Sequence, residues 1–163
     1  MIRPIAGIVA GALAGIAGAT SLNASTYLDQ VVRARPAGDT PKRTVRRLVD
    51  AADVDLPGSP NEVDARLEGA GPLAGLAVGI GVGAAAGLLR GVPIKVPKLL
   101  AIAAVGLGAM ALSDPVMTKL GVTEPRAWTA ESIAADALPH LAYGLVTVHT
   151  LHRLLDPTTP QVA

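Results

Sequence analysis

The sequence predicts an all-α, polytopic membrane protein, with residues 1–163 forming one membrane domain. Half of its residues are hydrophobic and 17% are charged, whereas charged residues make up about 25% of an ordinary soluble domain. Its mean hydropathy is +0.45. Prolines and capping residues divide the apolar stretches into four transmembrane helices, which we expect to pack through glycine and alanine faces. The predicted helices span about 4–26, 60–90, 98–113 and 129–155, with a short extramembrane amphipathic helix at about 41–53.

Glycine recurs at every fourth position from Gly71 to Gly91. In water these six helical glycines would cost roughly 5 kcal/mol relative to alanine, at about 1 kcal/mol each. In lipid the backbone must be helical in any case, and a glycine face lets a second helix approach closely, as in a glycine zipper. The predicted helix-packing residues are Gly7, Gly11 and Gly15 in the first helix and Gly71, Gly75, Gly79, Gly83 and Gly87 in the second.

The first apolar run, from Ile5 to Ala19, has two interpretations. A basic Arg3 precedes it, and Ala17-Gly18-Ala19 is similar to a signal-peptidase site, which would make the run a cleaved signal peptide. The alternative, which we expect, is a retained spanning helix. Leu22 and Ala24 extend the run far enough for that role.

The polar segment 28–69 contains two helix signals. Thr40-Pro41 opens a segment whose apolar side chains share one face, and this helix is suited either to the membrane surface or a partner, or to capping the bundle. Ser59 and Glu62 form a capping box that opens the next helix.

Two further boundaries complete the predicted topology. Asp114-Pro115 is expected to end the third helix, and Thr129 to cap the fourth. Four spans would bring both termini and the 91–98 loop to one side, which we expect to be the cytoplasmic side, although the basic residues do not decide the orientation. Tyr27 and Trp128 would then lie at the same interface.

Polar residues from different helices are predicted to meet near one membrane face: Asn23, Tyr27 and Asp29 from the first helix, Asp114 from the third, and Asp136 and His140 from the fourth. Asp136 and His140 are four residues apart on one helical face, and ionisable groups in a spanning helix usually indicate function. They form either a proton or ligand site or an interhelical hydrogen-bond network. The predicted cluster comprises Asn23, Tyr27, Asp136, His140 and Tyr143.

The opposite end of the fourth helix carries His149, His152 and Asp156 at spacings of three and four. This pattern is more typical of an interfacial polar cap than of a metal site, and we predict no metal. On the same side, basic residues are candidates for contact with anionic lipid headgroups, or alternatively serve only to determine topology. These residues are Arg90, Lys95, Lys98 and Arg153.

Several classes of protein are excluded. The chain has no cysteine, and its net charge of +1 argues against nucleic-acid binding. No nucleotide or cofactor fingerprint occurs, so no cofactor is predicted. Gly79-x-Gly81-x-Gly83 is similar to the helix of rotary ATPase ring subunits, but residues 99–112 lack the carboxylate that such rings need.

The C-terminal half carries a family resemblance. Its motifs are Pro93-Ile-Lys, the run from Asp114 to Pro125, Trp128 and Pro139-His-Leu-Ala-Tyr-Gly144. Together they resemble the YagU-like bacterial inner-membrane proteins, a family without established biochemistry. The resemblance implies a polytopic protein of the bacterial inner (plasma) membrane, with His140 and Gly144 at matching positions.

The function that follows is non-enzymatic. We expect an accessory or scaffolding subunit whose partners are membrane lipid and other membrane subunits or a second copy. A small transporter or channel with a polar path near Asp136 and His140 is the alternative. An enzyme that acts on lipids is a third possibility and would need a substrate groove beside the histidines.

Overall fold

The computed structural model describes residues 4–92 and 96–156, and within these ranges the chain is helical and contains no strand. The all-α prediction is therefore confirmed. The helices are α1 (Pro4–Arg33), α2 (Thr40–Ala51), α3 (Pro60–Leu89), α4 (Lys98–Lys119) and α5 (Ala130–Leu155), with a short 3-10 helix at Pro125–Ala127.

Three helices, α1, α3 and α4, are long and apolar enough to cross a membrane. This supports the prediction of a membrane protein. Among the described residues α5 does not belong to this set, because Asp136, His140 and His149 lower the hydropathy of a helix that is otherwise long enough at 26 residues. The fourth span remains a prediction.

Helix α1 lies between α3 and α5, α4 packs mainly against α5, and α2 packs on α3. Close contacts join Gly15 with Gly79 and Gly106 with His140. An ion pair between Arg33 and Glu131 joins the end of α1 to the beginning of α5. The successive long helices α1, α3, α4 and α5 therefore run antiparallel to one another. The end of α3, the start of α4 and the end of α5 lie at the same pole of the bundle.

Two helices are longer than the sequence predicts. Helix α4 continues through Asp114-Pro115 to Lys119, since an interior proline removes only one backbone donor and a packed helix tolerates that loss. It stops at Gly121, whose φ is +65°. Here Val122 N–H donates to Met117 O at 2.9 Å, which closes a Schellman motif.

Helix α1 extends past residue 26 to Arg33. The acidic Asp29 in this extension is compensated, because Arg35 approaches its carboxylate at 2.6 Å and Arg33 at 3.8 Å. Ala34 ends the helix in the left-handed region with φ of 50°. The ion pairs explain why a helix continues where its hydropathy declines.

Helix α2 docks on the first turns of α3, which favours the bundle-capping interpretation of the amphipathic segment. Lys42 Nζ donates to Asp64 at 2.6 Å and to Glu68 at 3.2 Å. The Asp64 carboxylate, through this hydrogen bond, raises the pKa of Lys42 above its usual 10.5. Arg43 donates to Val122 O at 3.1 Å, so α2 also contacts the turn that follows α4.

Candidate functional site

The backbones of α1 and α3 approach each other at glycines. A Cβ atom added to Gly15 would lie 2.5 Å from Gly79 O, and one added to Gly83 would lie 2.6 Å from Gly15 Cα. A Cβ on Gly87 would meet the backbone of Gly7. Real Cβ atoms do not make such short contacts, and the atoms met belong to the backbone. A side chain at these positions would therefore push the two helices apart.

The repeat at spacing four in α3 does not have one partner. Gly71 faces α2, where an added Cβ would lie 2.8 Å from the Pro41 backbone. Gly75, the next glycine, is exposed with no atom within 4 Å of such a Cβ. Gly81, which is outside the repeat, is open in the same way. Some α3 glycines thus serve contacts within the chain, and others do not.

A second glycine contact joins α4 to α5 and was missed by the sequence analysis. A Cβ on Gly144 would lie 2.8 Å from Gly106 N, and one on Gly106 would lie 3.1 Å from His140 C. Gly106 is followed at two residues by Gly108, which meets no atom within 4 Å. The glycines of α4 indicate that another helix can pack closely against it. The sequence does not show which of these glycines faces α5.

Tyr143 lies at the junction of three helices, away from the ionisable pair with which it was predicted to cluster. Its side chain is 1% exposed, and its hydroxyl donates to Gly79 O of α3 at 2.6 Å. Its ring packs against Gly18 of α1, where an added Cβ would lie 2.8 Å from Tyr143 Cδ2. Thr147, which is fully buried, also packs against Gly18. Tyr143 therefore links α5 to α3 across α1.

Asp136 and His140 form a pair on the side of α5 that faces α4. His140 Nδ1 lies 2.8 Å from the Asp136 backbone O and 3.5 Å from Asp136 Oδ1. The His140 side chain is 15% exposed and that of Asp136 is 47% exposed. Asp114 of α4 is close enough for its charge to act on both residues. Three ionisable groups from two helices thus share one environment.

Among the described residues, the structure does not bring Asn23 or Tyr27 of α1 to this pair. Asn23 and Tyr27 are both exposed, and neither is hydrogen-bonded to Asp136 or His140 among the described residues. The physical reason is that α1 and α4 pack on different faces of α5. Asp136 and His140 lie towards α4, so the polar residue that approaches them from another helix is Asp114.

The remaining polar site is the pole where α3 and α5 end and α4 begins. Arg90 donates to Asp156 Oδ2 at 2.8 Å and lies 3.1 Å from His152 Nδ1. Lys98 Nζ lies 3.5 Å from His149 Nδ1. Lys95 lies outside the described residues. We call this surface the basic end, and define it as Arg90, Lys98, His149, His152, Arg153 and Asp156.

The histidines of the basic end face cations. Arg90 approaches the ring of His152, and Lys98 approaches that of His149. In the described part of the chain, no group of three or more His, Cys, Asp or Glu side chains is arranged to hold a metal ion. The chemistry available at this end is the binding of an anion, for which arginine and lysine supply the donors.

A small cleft lies at the opposite pole, between α2 and the start of α3. It is lined by both apolar and charged side chains, including Arg46, Val49, Asp50 and Leu67. Arg46 already pairs with Asp64 at 3.3 Å. The cleft lies at the polar end of the molecule, so it does not provide a path through the apolar helices.

Comparison with protein-family models, curated proteins and solved structures finds no match for this chain. The resemblance to the YagU-like family therefore remains a prediction.

Proposed function

We propose that this chain is a non-enzymatic membrane protein that serves as an accessory or scaffolding subunit, with glycine-zipper packing in its core and a second small-residue face for another subunit or a second copy. The proposal includes four spans in a bacterial inner membrane, with cytoplasmic termini. Its two parts, the fourth span and the outer face, have separate support.

The fourth span is supported by the length and neighbours of α5. Its 26 residues extend about 39 Å at 1.5 Å per residue, more than the roughly 30 Å of a bilayer's hydrocarbon core. It packs between α1 and α4, both of which qualify as spans. His140 and Tyr143 face these neighbours rather than the periphery, which reduces the cost of placing polar groups in lipid.

Single-cysteine labelling tests this topology, since the natural chain has no cysteine. Gly38, Val92 and Leu154 are exposed. With four spans, Val92→Cys and Leu154→Cys should react with a membrane-impermeant maleimide only after cells are permeabilised. Gly38→Cys should react in intact cells. Labelling of Leu154→Cys together with Gly38→Cys would show that α5 does not cross, and reversal of all three would show the opposite orientation.

The observation that carries the subunit role is the outer face of α3. Gly81 costs about 1 kcal/mol relative to alanine in a helix interior, yet a Cβ added there would meet no described atom within 4 Å outside the helix's own backbone. Ala77 and Ala85, also exposed, flank Gly81 at spacing four. Small residues in this arrangement let a second transmembrane helix approach closely. A partner helix would give Gly81 a role that it does not have in the monomer.

The test is Gly81→Leu, which adds bulk to the outer face at a position whose added Cβ would meet no described atom within 4 Å. We expect the variant to remain folded and to lose its co-purifying subunit or its dimer, as measured by native mass spectrometry from mild detergent. Ala104→Leu, a similar increase in bulk at an exposed position on α4, is the matched control. If Gly81→Leu keeps the same associated proteins and the same mass as the natural chain, the α3 face is not an interface.

A transporter or channel is the second candidate, favoured by the meeting of Asp114, Asp136 and His140 between α4 and α5. The discriminating measurement is proton flux into proteoliposomes that contain the purified chain. A transporter of this kind should show flux that Asp136→Asn abolishes. A scaffolding subunit should show none above that of protein-free liposomes.

A further inference from the structure

The basic end carries a net positive charge and lies where the apolar helices α3 and α4 end and begin. Its formal charges are three cations, Arg90, Lys98 and Arg153, against the single carboxylate of Asp156, which leaves a net charge of +2 when the histidines are neutral. Since α3 and α4 qualify as spans, the end of one and the start of the other lie at the depth of lipid headgroups. An anion is therefore the complementary ligand, and headgroup phosphate is available there.

Arg90 and Lys98 have more N–H donors than their contacts within the chain use. A guanidinium group carries five N–H donors, and the contacts of Arg90 with Asp156 and His152 both use Nη2. Lys98 has three donors, and its contact with His149 Nδ1 is long at 3.5 Å. Lys98 is also the first residue of α4, so the helix dipole adds to the attraction for an anion.

Exposed leucines lie directly beside these cations along the chain. Leu89 precedes Arg90 and is 67% exposed, while Leu99 and Leu100 follow Lys98 and are 81% and 59% exposed. A free phosphate ion would make no use of such a surface. A phospholipid would, because its acyl chains continue from the phosphate along the apolar helices.

We propose that the basic end binds an anionic phospholipid. Arg90, Lys98 and Arg153 contact its phosphate, and Leu89, Leu99 and Leu100 contact its acyl chains. The proposal rests on the membrane placement of α3 and α4 and is independent of any subunit role. A lipid site would explain why cationic side chains from three helices lie beside exposed leucines at one pole of the bundle.

The experiment uses the full chain in nanodiscs that contain phosphatidylcholine with a minor fraction of phosphatidylglycerol. Native mass spectrometry measures which lipid stays bound. We expect selective retention of phosphatidylglycerol, and a loss of about fivefold in its apparent affinity for each cation removed, in Lys98→Gln and in Arg153→Gln. Arg47→Gln, which removes an exposed cation from α2 at the opposite pole, should leave retention unchanged.

Two further arms separate the lipid from other sources of phosphate. Leu99→Ser keeps every charge and should still weaken lipid retention, while inorganic phosphate added to phosphatidylcholine nanodiscs should not raise the melting temperature. Equal retention of the two lipids, or an equal loss in Arg47→Gln and Lys98→Gln, would overturn the site. Stabilisation by inorganic phosphate that Leu99→Ser leaves intact would overturn the lipid as its ligand.

Discussion

Gly83→Leu is expected to separate α1 from α3 and to lower the free energy of unfolding by more than about 3 kcal/mol. A Cβ at this position would lie 2.6 Å from Gly15 Cα and 2.8 Å from Gly15 N. Both are backbone atoms of a helix, so no side-chain rotation relieves the collision. The helices must move apart, and the contacts on either side of Gly83 are lost with them.

The smaller substitution Gly83→Ala gives a lower bound for the loss of unfolding free energy. Inserting one or a few methylene groups into a packed contact costs about 1–3 kcal/mol where neighbours can adjust. Gly83→Ala should therefore lose at least about 1 kcal/mol of unfolding free energy, despite the better helix propensity of alanine. Gly83→Leu should exceed about 3 kcal/mol by the same reasoning.

Reversible unfolding in mixed detergent micelles, followed by far-UV circular dichroism, measures these losses. Gly81→Ala is the matched control, because it is two residues away on the same helix and a Cβ added there would meet no described atom within 4 Å. It should be neutral or slightly stabilising. If Gly83→Ala and Gly81→Ala unfold at the same detergent fraction, α1 and α3 are not in backbone contact at this glycine.

The contrast between these neighbouring glycines shows what the sequence could and could not predict. Spacing of four predicts a helix that another backbone can approach, because glycine removes the side chain that would prevent it. It does not say which backbone approaches. Gly71 meets α2, whereas a Cβ added to Gly75 would meet no described atom within 4 Å, since the repeat drifts about 40° per step around a helix of 3.6 residues per turn.

The ends of the helices were predictable where the signal is local. Helix α3 begins after Ser59, whose backbone N–H donates to Glu62 at 2.7 Å. Helix α5 begins after Thr129, whose hydroxyl accepts the Ser132 N–H at 3.1 Å. The end of α4 was predicted at Asp114-Pro115. The helix instead ends at Leu120-Gly121, because the glycine adopts the positive φ that the closing turn needs.

The polar site was predictable only in part, because it depends on tertiary neighbours. The spacing of four residues is enough to place His140 next to Asp136 on the same face of α5. The predicted topology also places Asp114 at the same membrane face. That Asp114 approaches the pair, whereas Asn23 and Tyr27 of α1 do not, depends on which face of α5 each helix covers. The same dependence directs Tyr143 towards Gly79, although it is only three residues from His140.

Tyr143→Ala is expected to lose about 3–5 kcal/mol of unfolding free energy, the range for removing a buried aromatic ring. The ring packs against Gly18 and Gly79, two residues whose small size leaves no side chain to fill the space that it vacates. Tyr143→Phe keeps the ring and removes only the hydrogen bond to Gly79 O. This variant should lose about 1 kcal/mol.

Detergent-induced unfolding followed by circular dichroism separates these two contributions. Tyr27→Ala removes the chain's other tyrosine, which is 58% exposed, and should change stability little. Comparable losses in Tyr143→Ala and Tyr27→Ala would contradict the burial of Tyr143. A loss in Tyr143→Phe as large as that in Tyr143→Ala would instead assign the stabilisation to the hydroxyl, because the phenylalanine ring still fills the space between α1, α3 and α5.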